Sequence, residues 1–431
     1  MAENAREIVL DTLLEIERTK VFSNQLVKSV LDKYDYLESQ EKRFIKRVTE
    51  GCIERKIELD YYLNQYSTVP VSKMKPLIRC LMRMGVYQIL YMDKIPDSAA
   101  CNEAVNLAVK RKFGNLRGFV NGVLRKISRN KEQLPMPKEE GIEYLSVKYS
   151  MPEWIIHMWL EEYKKEEIVI MLNGLAEIHP VSVRFRTDLT EEEQKEYVYK
   201  WEQQGAVVTR SEIVPYVYTL EAVDGVDSLH GFKEGIFTVQ DISSVLCVEA
   251  AGLQKNHVCM DICAAPGGKT MLAAEKTKRV LARDLSEAKV KRIIENCERM
   301  NVTEKVETQI WDAANADEGK TEYADVVFMD VPCSGLGVMG KKRDIKYHVT
   351  PESMESLVEL QKTIITSSWQ YVKKGGVLMY STCTIHRKEN QDMVRWICEN
   401  LPFDLEEEKQ ILPGFMQADG FYYARLRRKT E

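Results

Sequence analysis

Apolar residues recur every three or four positions through the first third of the chain. Stripes of this kind run through residues 8–16, 77–89 and 104–108, and such spacing is typical of amphipathic helices. Prolines stand where helices are expected to begin or end, and the alternating pattern of a strand is absent from this part of the sequence. The pattern therefore predicts an all-α domain over residues 1–135.

A polar stretch with two prolines, residues 131–145, predicts a linker after this domain. Beyond it the helical and strand patterns are mixed. Residues 189–204 have the spacing of an amphipathic helix. Strand patterns are found at 181–187, 206–210 and 216–222. We therefore predict a small α+β module over residues 145–235.

The last two hundred residues alternate short apolar runs with helical segments. The runs are Val258–Ile262, Arg279–Asp284, Lys305–Trp311, Asp325–Asp330 and Gly376–Thr382. Alternation of this kind is typical of an α/β domain, in which helices cover both faces of a mostly parallel sheet. We predict such a domain over residues 236–431.

Composition narrows the class of protein. The chain has 431 residues, of which 44% are hydrophobic and 29% charged, a balance typical of soluble proteins with more than one core. No apolar run reaches the length of a membrane span, and the first residues lack the apolar region of a signal peptide. The ten cysteines form no C-x-x-C pair, so we expect neither disulfides nor a metal site, and a cytoplasmic location.

Charge is unevenly distributed. Residues 1–137 hold 24 Lys and Arg against 17 Asp and Glu, whereas the remainder holds 37 against 49. A basic first third suggests a polyanionic partner, although solvated helix faces also carry surplus lysine. The basic clusters are Lys42, Arg43, Lys46, Arg47, Arg55 and Lys56, and Lys110, Arg111, Lys112, Arg117, Arg125 and Lys126. Both interpretations stay open for these clusters.

Residues 258–270, VCMDICAAPGGKT, run from a strand through a glycine-rich loop into a helix. Glycines let a ligand approach the backbone, and the helix directs its free N–H groups towards it. A phosphate-binding P-loop needs glycine where Cys263 stands, which disfavours a nucleotide hydrolase. Asp284, Asp312 and Asp330 also follow strands, at the edge where open α/β sheets bind ligands. Asp284 has the spacing expected of a residue that binds ribose hydroxyls.

Two cysteines are predicted at the same edge. Cys333 lies in DVPCSGLG and Cys383 in YSTCTIHRKEN, each directly after a strand. A thiolate that attacks carbon 6 of a cytosine makes carbon 5 nucleophilic, so that carbon 5 accepts a methyl group from a sulfonium donor. The second thiol then assists loss of the carbon 5 proton, and Asp330 binds the Watson–Crick edge of the base.

The stretches DICAAPGGKT, DVPCSGLG and YSTCTIHRKEN resemble three motifs of the RNA cytosine-C5 methyltransferases of the Sun family. The resemblance covers about residues 145–428. It implies a Rossmann-like class I methyltransferase fold with a seven-stranded sheet, Cys383 as the nucleophile and Cys333 as the group that assists release. The two cysteines together imply RNA rather than DNA. The implied contacts to S-adenosylmethionine are Cys263, Ala264, Ala265, Pro266, Gly267, Gly268, Lys269, Asp284, Asp312 and Asp330.

The helical domain resembles the NusB family of RNA-binding domains. The resemblance rests on KRFIKRVTEGCIERKIELD, LIRCLMRMGVYQILYMDKIPDSAACNEAVNLAVK and FVNGVLRKI, within residues 5–128. A NusB-like domain ahead of a Sun-type domain resembles bacterial enzymes that methylate 16S ribosomal RNA, of the type acting at cytosine 967. The implied partner is 16S RNA, either free or in a partly assembled small subunit, with no membrane and no metal.

Two features leave alternatives open. In GKKRDIKY, Arg343 and Tyr347 stand where the Sun family often has Pro and Trp, so the role of this loop is open. The same chemistry on transfer RNA also remains possible on sequence grounds, as does a non-catalytic RNA-binding protein with a methyltransferase-like fold.

Overall fold

A computed structural model describes residues 5–19, 21–139, 141–177, 180–223 and 225–431. Its helices are α1 Ala5–Thr19, α2 Ser23–Lys33, α3 Ser39–Glu54, α4 Lys56–Tyr66, α5 Pro76–Tyr91, α6 Asp97–Lys110, α7 Arg117–Arg129, α8 Ile142–Tyr149, α9 Glu153–Leu160, α10 Lys165–Ala176, α11 Glu191–Gln203, α12 Ile242–Ala250, α13 Gly268–Lys276, α14 Glu287–Arg299, α15 Ile345–His348, α16 Pro351–Ser368 and α17 Gln391–Asn400. Its strands are β1 Val181–Phe185, β2 Val207–Arg210, β3 Val217–Glu221, β4 Phe237–Val239, β5 Val258–Asp261, β6 Arg279–Asp284, β7 Val306–Ile310, β8 Ala324–Asp330, β9 Val372–Thr382, β10 Phe403–Ile411 and β11 Phe421–Arg428.

The chain divides into two compact units. The first comprises Met1–Ala176 and Lys341–His348, and the second Glu177–Gly340 and Val349–Glu431. The predicted division into three domains remains a prediction, and the two units differ from it in three places. Strands β1 to β3 of the predicted α+β module lie in the same unit as the predicted last domain. Helices α8 to α10 belong to the first unit instead of the α+β module, and residues 341–348 belong to it instead of the last domain.

Helix α5 lies at the centre of the helical unit and contacts α1, α3, α4, α6 and α7. Leu81, Met82 and Met84 are completely buried in it, because the helix is apolar around most of its circumference. Its one buried cation, Arg83, is neutralised by Asp60 at 2.6 Å and Glu17 at 2.5 Å. The prediction of a helical N-terminal region is confirmed.

Residues 341–348 pack against the helices of the first unit, although in sequence they lie between β8 and α16. The Asp344 carboxylate accepts a hydrogen bond from the backbone N–H of Ser23 at 2.5 Å. Lys346 donates to the carbonyl oxygen of Glu54 at 2.9 Å, and the Tyr347 ring packs against the helical core. These buried contacts explain why the segment belongs to this unit.

The second unit contains two sheets. Strands β1 to β4 form an antiparallel sheet in the order β2-β3-β1-β4. The larger sheet has seven strands in the order β10-β11-β9-β8-β5-β6-β7. Strands β5 to β9 are parallel, whereas β10 and β11 are antiparallel to their neighbours. The predicted α/β class with a mostly parallel seven-stranded sheet is confirmed.

Side chains of β8 alternate between two helical layers, as strand geometry requires. Val326 and Phe328 pack in a core with residues of α12, α13 and α14. Val327 and Met329 pack on the opposite face with residues of α16 and α17. Continuous apolar runs suit a sheet that is covered on both faces, and the carboxyl ends of β5, β8 and β9 thereby lie side by side at one edge. In the described part of the chain, no helix is long and apolar enough to cross a membrane.

Candidate active site

A glycine loop, residues 262–267, joins β5 to α13 at the carboxyl edge of the large sheet. Gly267 has a φ of 101°, a left-handed conformation that disfavours residues with a Cβ. Its N–H donates to Ala264 at 2.7 Å and closes the turn. Among the described residues, no side chain caps the start of α13, so backbone N–H groups of its first turn are left for a ligand.

Asp284 anchors this loop from the end of β6. Its carboxylate accepts hydrogen bonds from the N–H groups of Ala265 at 2.9 Å and Leu285 at 2.7 Å, and pairs with Lys289 at 2.9 Å. Asp284 is almost completely buried. Asp284 therefore lies against the glycine loop, and its predicted contact with ribose hydroxyls remains a prediction.

Asp312 follows β7 and is exposed. Its side chain accepts a hydrogen bond from the N–H of Ala314 at 3.0 Å, which is the geometry of a residue that caps a turn. Its contribution to ligand binding therefore remains a prediction.

Asp261, at the end of β5, is a buried acid that the sequence analysis did not select. One oxygen accepts from the Thr270 hydroxyl at 2.7 Å, and the other has no partner within the described part of the chain. The pKa of Asp261 is raised to about 7, mainly by burial and to a smaller extent by the carboxylates of Asp330 and Asp284. The sequence signal for Asp261 was an acidic residue at the end of an apolar strand.

Lys269 and Asp330 form an ion pair of 2.7 Å, and the Ser381 hydroxyl donates to the second Asp330 oxygen at 2.9 Å. Lys269 comes from the first turn of α13, and Asp330 ends β8. Burial alone would lower the pKa of Lys269, but the Asp330 carboxylate holds that pKa above its ordinary value. Lys269 is therefore a buried cation that contacts Asp330.

The two predicted cysteines, Cys333 and Cys383, are in contact. The Sγ atoms of Cys333 and Cys383 lie 3.3 Å apart, because Asp330 and Ser381 are paired in the β8–β9 register and each loop starts from there. Both cysteines are partly buried. The hydrogen bond with Cys383 raises the pKa of Cys333 well above its ordinary value, and burial adds to this effect. Two thiolates at this distance would repel strongly, so loss of the proton from one thiol disfavours loss of the proton from the other.

Gly337 lets the Cys333 loop approach the rest of the site. Its N–H donates to the Cys383 carbonyl at 3.0 Å, and its own carbonyl accepts from Gly420 at 2.9 Å. A Cβ at Gly337 would lie 1.9 Å from the carbonyl oxygen of Gly420. The close approach of these backbones therefore requires glycine.

Cys263 lies in the glycine loop and packs against the α16–α17 side of the sheet. Burial raises the pKa of its thiol, which disfavours Cys263 as a further nucleophile; its contact with the methyl donor remains a prediction.

Glu389, which was not among the predicted site residues, is completely buried and is bound by Ser334, Gln361 and His386. The signal for it was present in YSTCTIHRKEN, since Glu389 belongs to the same stretch as Cys383.

Two family models match the chain. The model described as 16S rRNA methyltransferase RsmB/F matches residues 249–427, and the NusB family model matches residues 3–129. The first match contains the glycine loop and both cysteines, and the second contains helices α1 to α7.

Similar proteins match along nearly the whole chain. A probable ribosomal RNA small subunit methyltransferase B of Bacillus subtilis is 33% identical over 450 aligned positions, which cover 99% of each chain. A ribosomal RNA small subunit methyltransferase B of Cronobacter sakazakii is 29% identical, with 95% of this chain and 96% of the relative covered.

Solved structures share the fold. The crystal structure of PH0851 superposes with a TM-score of 0.80 and 25% identity, covering 99% of this chain and 100% of that chain. The structure of NSun6 from Pyrococcus horikoshii covers 68% of this chain and 98% of its own, with a TM-score of 0.54 and 19% identity. The second likeness concerns the fold alone.

Proposed function

The chain belongs to the 16S rRNA methyltransferase RsmB/F family, and from this premise we propose that it transfers a methyl group from S-adenosylmethionine to carbon 5 of a cytosine in 16S ribosomal RNA, at a site of the cytosine-967 type. The reaction passes through a covalent bond between Cys383 and the base. The observation that carries the proposal is the pair of sulfur atoms 3.3 Å apart, in the loops that follow the strand ends where buried Lys269 pairs with partly exposed Asp330.

The residues around the glycine loop fit the methyl donor. The unpartnered oxygen of Asp261 suits the donor's ammonium group, and the uncapped start of α13 suits its carboxylate. Asp284 suits the ribose hydroxyls, and Asp312 is the acid that follows the next strand of the sheet. When bound, S-adenosylmethionine supplies the methyl group that carbon 5 of the cytosine accepts.

Cys383 and Cys333 divide the chemistry between them. The Cys383 thiolate adds to carbon 6, which places electron density on carbon 5. After methylation Cys333, directly or through water, assists removal of the carbon 5 proton; the carbon 6–sulfur bond breaks, and the electron pair returns to Cys383. The raised pKa of Cys333 supports this division, because Cys333 stays protonated while Cys383 attacks as a thiolate. Once the Cys383 sulfur is bonded to carbon 6, the main cause of that raised pKa is removed, so Cys333 releases its proton to solvent and its thiolate then accepts the proton from carbon 5.

Asp330 and Lys269 suit the polar edge of a cytosine. That edge presents an amino group that donates and ring atoms that accept. The carboxylate of Asp330 accepts from the amino group, and Lys269 supplies a donor beside it, with the two held 2.7 Å apart. The target base must leave its stack to reach these groups and the donor together.

Ribosomal RNA as the substrate is supported by the relatives, which are ribosomal RNA small subunit methyltransferases that match over nearly the full chain. The match to the NusB family over residues 3–129 supports RNA contact by the helical unit. The presence of both Cys333 and Cys383 supports RNA rather than DNA.

Methylation of unmodified 16S RNA, partly assembled small subunits and transfer RNA with labelled S-adenosylmethionine, followed by bisulfite mapping, tests the proposal. We expect one protected cytosine in 16S RNA, free or in the assembling subunit. Protection of transfer RNA alone would overturn the substrate, and labelling of another base would overturn the reaction. Cys383→Ala is the inactive control, and Cys398→Ala, a change in α17, is the matched active control.

A further inference from the structure

Glu389 is a completely buried carboxylate beneath the two cysteines. One oxygen accepts hydrogen bonds from the Ser334 N–H at 2.8 Å and the Gln361 amide at 3.0 Å. The other accepts from the Ser334 hydroxyl at 2.5 Å and lies 3.2 Å from Nδ1 of His386. Four contacts saturate the carboxylate, so it is firmly held.

These contacts join the two cysteine loops. Ser334 directly follows Cys333, and its hydroxyl also lies 2.8 Å from the hydroxyl of Thr384, which directly follows Cys383. Gln361 donates to the carbonyl oxygen of Pro332, on the other side of Cys333. Glu389 is therefore bonded, directly or through one residue, to the neighbours of both cysteines.

The support below Glu389 is rigid. The Tyr380 hydroxyl donates to the Glu389 carbonyl oxygen at 2.5 Å and lies 3.4 Å from Gln361. Gln361 is completely buried in α16, and Tyr380 is completely buried in β9. The network is thus anchored on two regular elements of the sheet domain and not on loops alone.

We propose that Glu389 is a positioning residue that holds the sulfur atoms of Cys333 and Cys383 at the separation the methyl transfer needs. This inference rests on the proposed function of the cysteine pair. Stability alone does not account for the arrangement, because a buried charge costs desolvation free energy that an apolar group of similar shape would avoid.

Glu389 also acts through its charge. Its carboxylate is one of the groups that raise the pKa of Cys333, after the Cys383 hydrogen bond and burial. Cys333 is thereby kept as the thiol, and the negative charge of the pair is left to Cys383.

Two substitutions separate position from charge. In Glu389→Gln, the amide oxygen accepts from the Ser334 N–H and Gln361, while the amide nitrogen donates to the Ser334 hydroxyl and His386, both of which can accept. The isosteric variant therefore keeps the links and loses the charge. Glu389→Ala loses the links and the charge.

Phenylarsine oxide reports the position of the sulfurs without any methyl transfer. It condenses with two thiols, forming two arsenic–sulfur bonds and releasing one water, and binds tightly only when both thiols reach one arsenic atom. We expect wild-type protein and Glu389→Gln to bind one equivalent by intact-mass measurement. Glu389→Ala should bind about tenfold more weakly, because its second thiol has a lower effective concentration. The Cys333→Ser variant measures how much arsenical the remaining thiols bind.

The same variants are assayed for methyl transfer. Glu389→Ala should lose about a hundredfold, as expected for a displacement of reacting groups by an ångström, and Glu389→Gln should recover most of that loss. Ser334→Ala, which removes a single link, should fall between them in both assays and tests the proposal if Glu389→Ala does not fold.

Arsenical binding by folded Glu389→Ala equal to that of wild type would overturn the proposal, as would a Ser334→Ala variant equal to wild type in both assays. If the wild-type protein methylated no RNA, the proposed function would fail, yet the arsenical assay would still decide whether Glu389 sets the sulfur separation.

Discussion

The sulfur atoms of Cys333 and Cys383 lie 3.3 Å apart, although the two residues belong to different loops at the ends of β8 and β9. No base fits between sulfurs at this distance. A cytosine bonded to Cys383 would instead have Cys333 directly beside it, within reach of the proton that must be removed. The proximity of the pair explains why removal of each cysteine is expected to impair a different step.

Removal of each cysteine should impair a different step of the reaction. Cys383→Ala should reduce methyl transfer by about ten-thousandfold or more, because the attacking thiolate is gone. Cys333→Ala should still form the bond to RNA but release it poorly, so that a protein–RNA complex survives a denaturing gel. The measurement is gel analysis of both variants with labelled RNA. Full activity of Cys383→Ala would contradict the mechanism.

Replacing Asp330 should impair the reaction without unfolding the protein. Asp330→Asn keeps the shape but loses the charge that pairs with Lys269 at 2.7 Å. We expect a loss of about a hundredfold in methyl transfer, as is usual for a preorganised polar contact to the reacting base. Single-turnover kinetics measure the loss. Asp404→Asn, at the edge strand β10, is the control and should have wild-type activity, and an equal rate for Asp330→Asn would contradict the role.

Donor affinity should depend on pH through Asp261. Burial raises the pKa of Asp261 to about 7, so its carboxyl is largely protonated below that pH. A cationic donor group prefers the carboxylate. As the pH rises towards 7, affinity for S-adenosylmethionine should therefore increase by up to about tenfold per pH unit, and above pH 7 it should be constant. Equilibrium dialysis from pH 5 to pH 8 measures this. Asp261→Asn should remove the slope, and an unchanged slope in that variant would exclude Asp261 as its source.

The same shift affects the stability of the unliganded protein. The folded pKa of Asp261 lies above its ordinary value of 3.8, so the folded state binds the proton more tightly than the unfolded state does. The contribution of Asp261 to the free energy of unfolding is therefore complete below about pH 4 and is lost as the pH rises towards 7. The free energy of unfolding of wild type relative to Asp261→Asn should therefore fall between about pH 4 and pH 7 and be constant outside this window. Denaturant unfolding of both proteins measures it.

Gly337→Ala should destabilise the site. Its Cβ would lie 1.9 Å from a backbone oxygen of Gly420, and backbone cannot move aside as a side chain can. We expect a loss of about 3 kcal/mol or more in the free energy of unfolding. Gly118→Ala in α7 is the matched control, because nothing lies within 4 Å of its Cβ, and it should stabilise by up to about 1 kcal/mol. Equal stability of the two variants would contradict the packing.

Lys346 should make the helical unit more stable at alkaline pH than at neutral pH. Burial lowers the pKa of Lys346 from 10.5 to about 7, assisted by Arg55 and Arg343. Between these values the unfolded state binds the proton and the folded state does not, so stability falls as the pH is lowered from about 10 to 7 and is constant below 7. Unfolding midpoints of wild type relative to Lys346→Met should follow this course. Lys342→Met, at an exposed position, is the control, and a difference independent of pH would contradict the shift.

The arrangement of the sheet was largely predictable from the sequence. The five predicted apolar runs correspond to strands β5 to β9. In a parallel sheet the carboxyl ends of neighbouring strands lie at the same edge. Asp330, Cys333 and Cys383 were therefore expected at one edge before any distance was known. The runs of β5, β6, β8 and β9 are buried on both faces, and such patterns depend little on distant contacts.

Other features depended on tertiary contacts that leave no local pattern. Glu389 lies in a polar loop, and only the folded loops bring Ser334 and Gln361 to it. Lys346 is in a charged stretch typical of solvent-exposed loops, yet it is buried against the helical unit. Lys269 was assigned to the donor by resemblance, and its ion pair with Asp330 is a tertiary contact between the start of α13 and the end of β8.

Mapping the protein–RNA bond tests the central claim most directly. Cys333→Ala is incubated with unmodified 16S RNA and S-adenosylmethionine, the covalent complex is digested with nuclease and protease, and the peptide that carries a pyrimidine nucleotide is sequenced by mass spectrometry. The account predicts a 5-methylcytidine bonded to the peptide that contains Cys383. A nucleotide on any other residue, or normal methylation with no covalent complex in either cysteine variant, would contradict it.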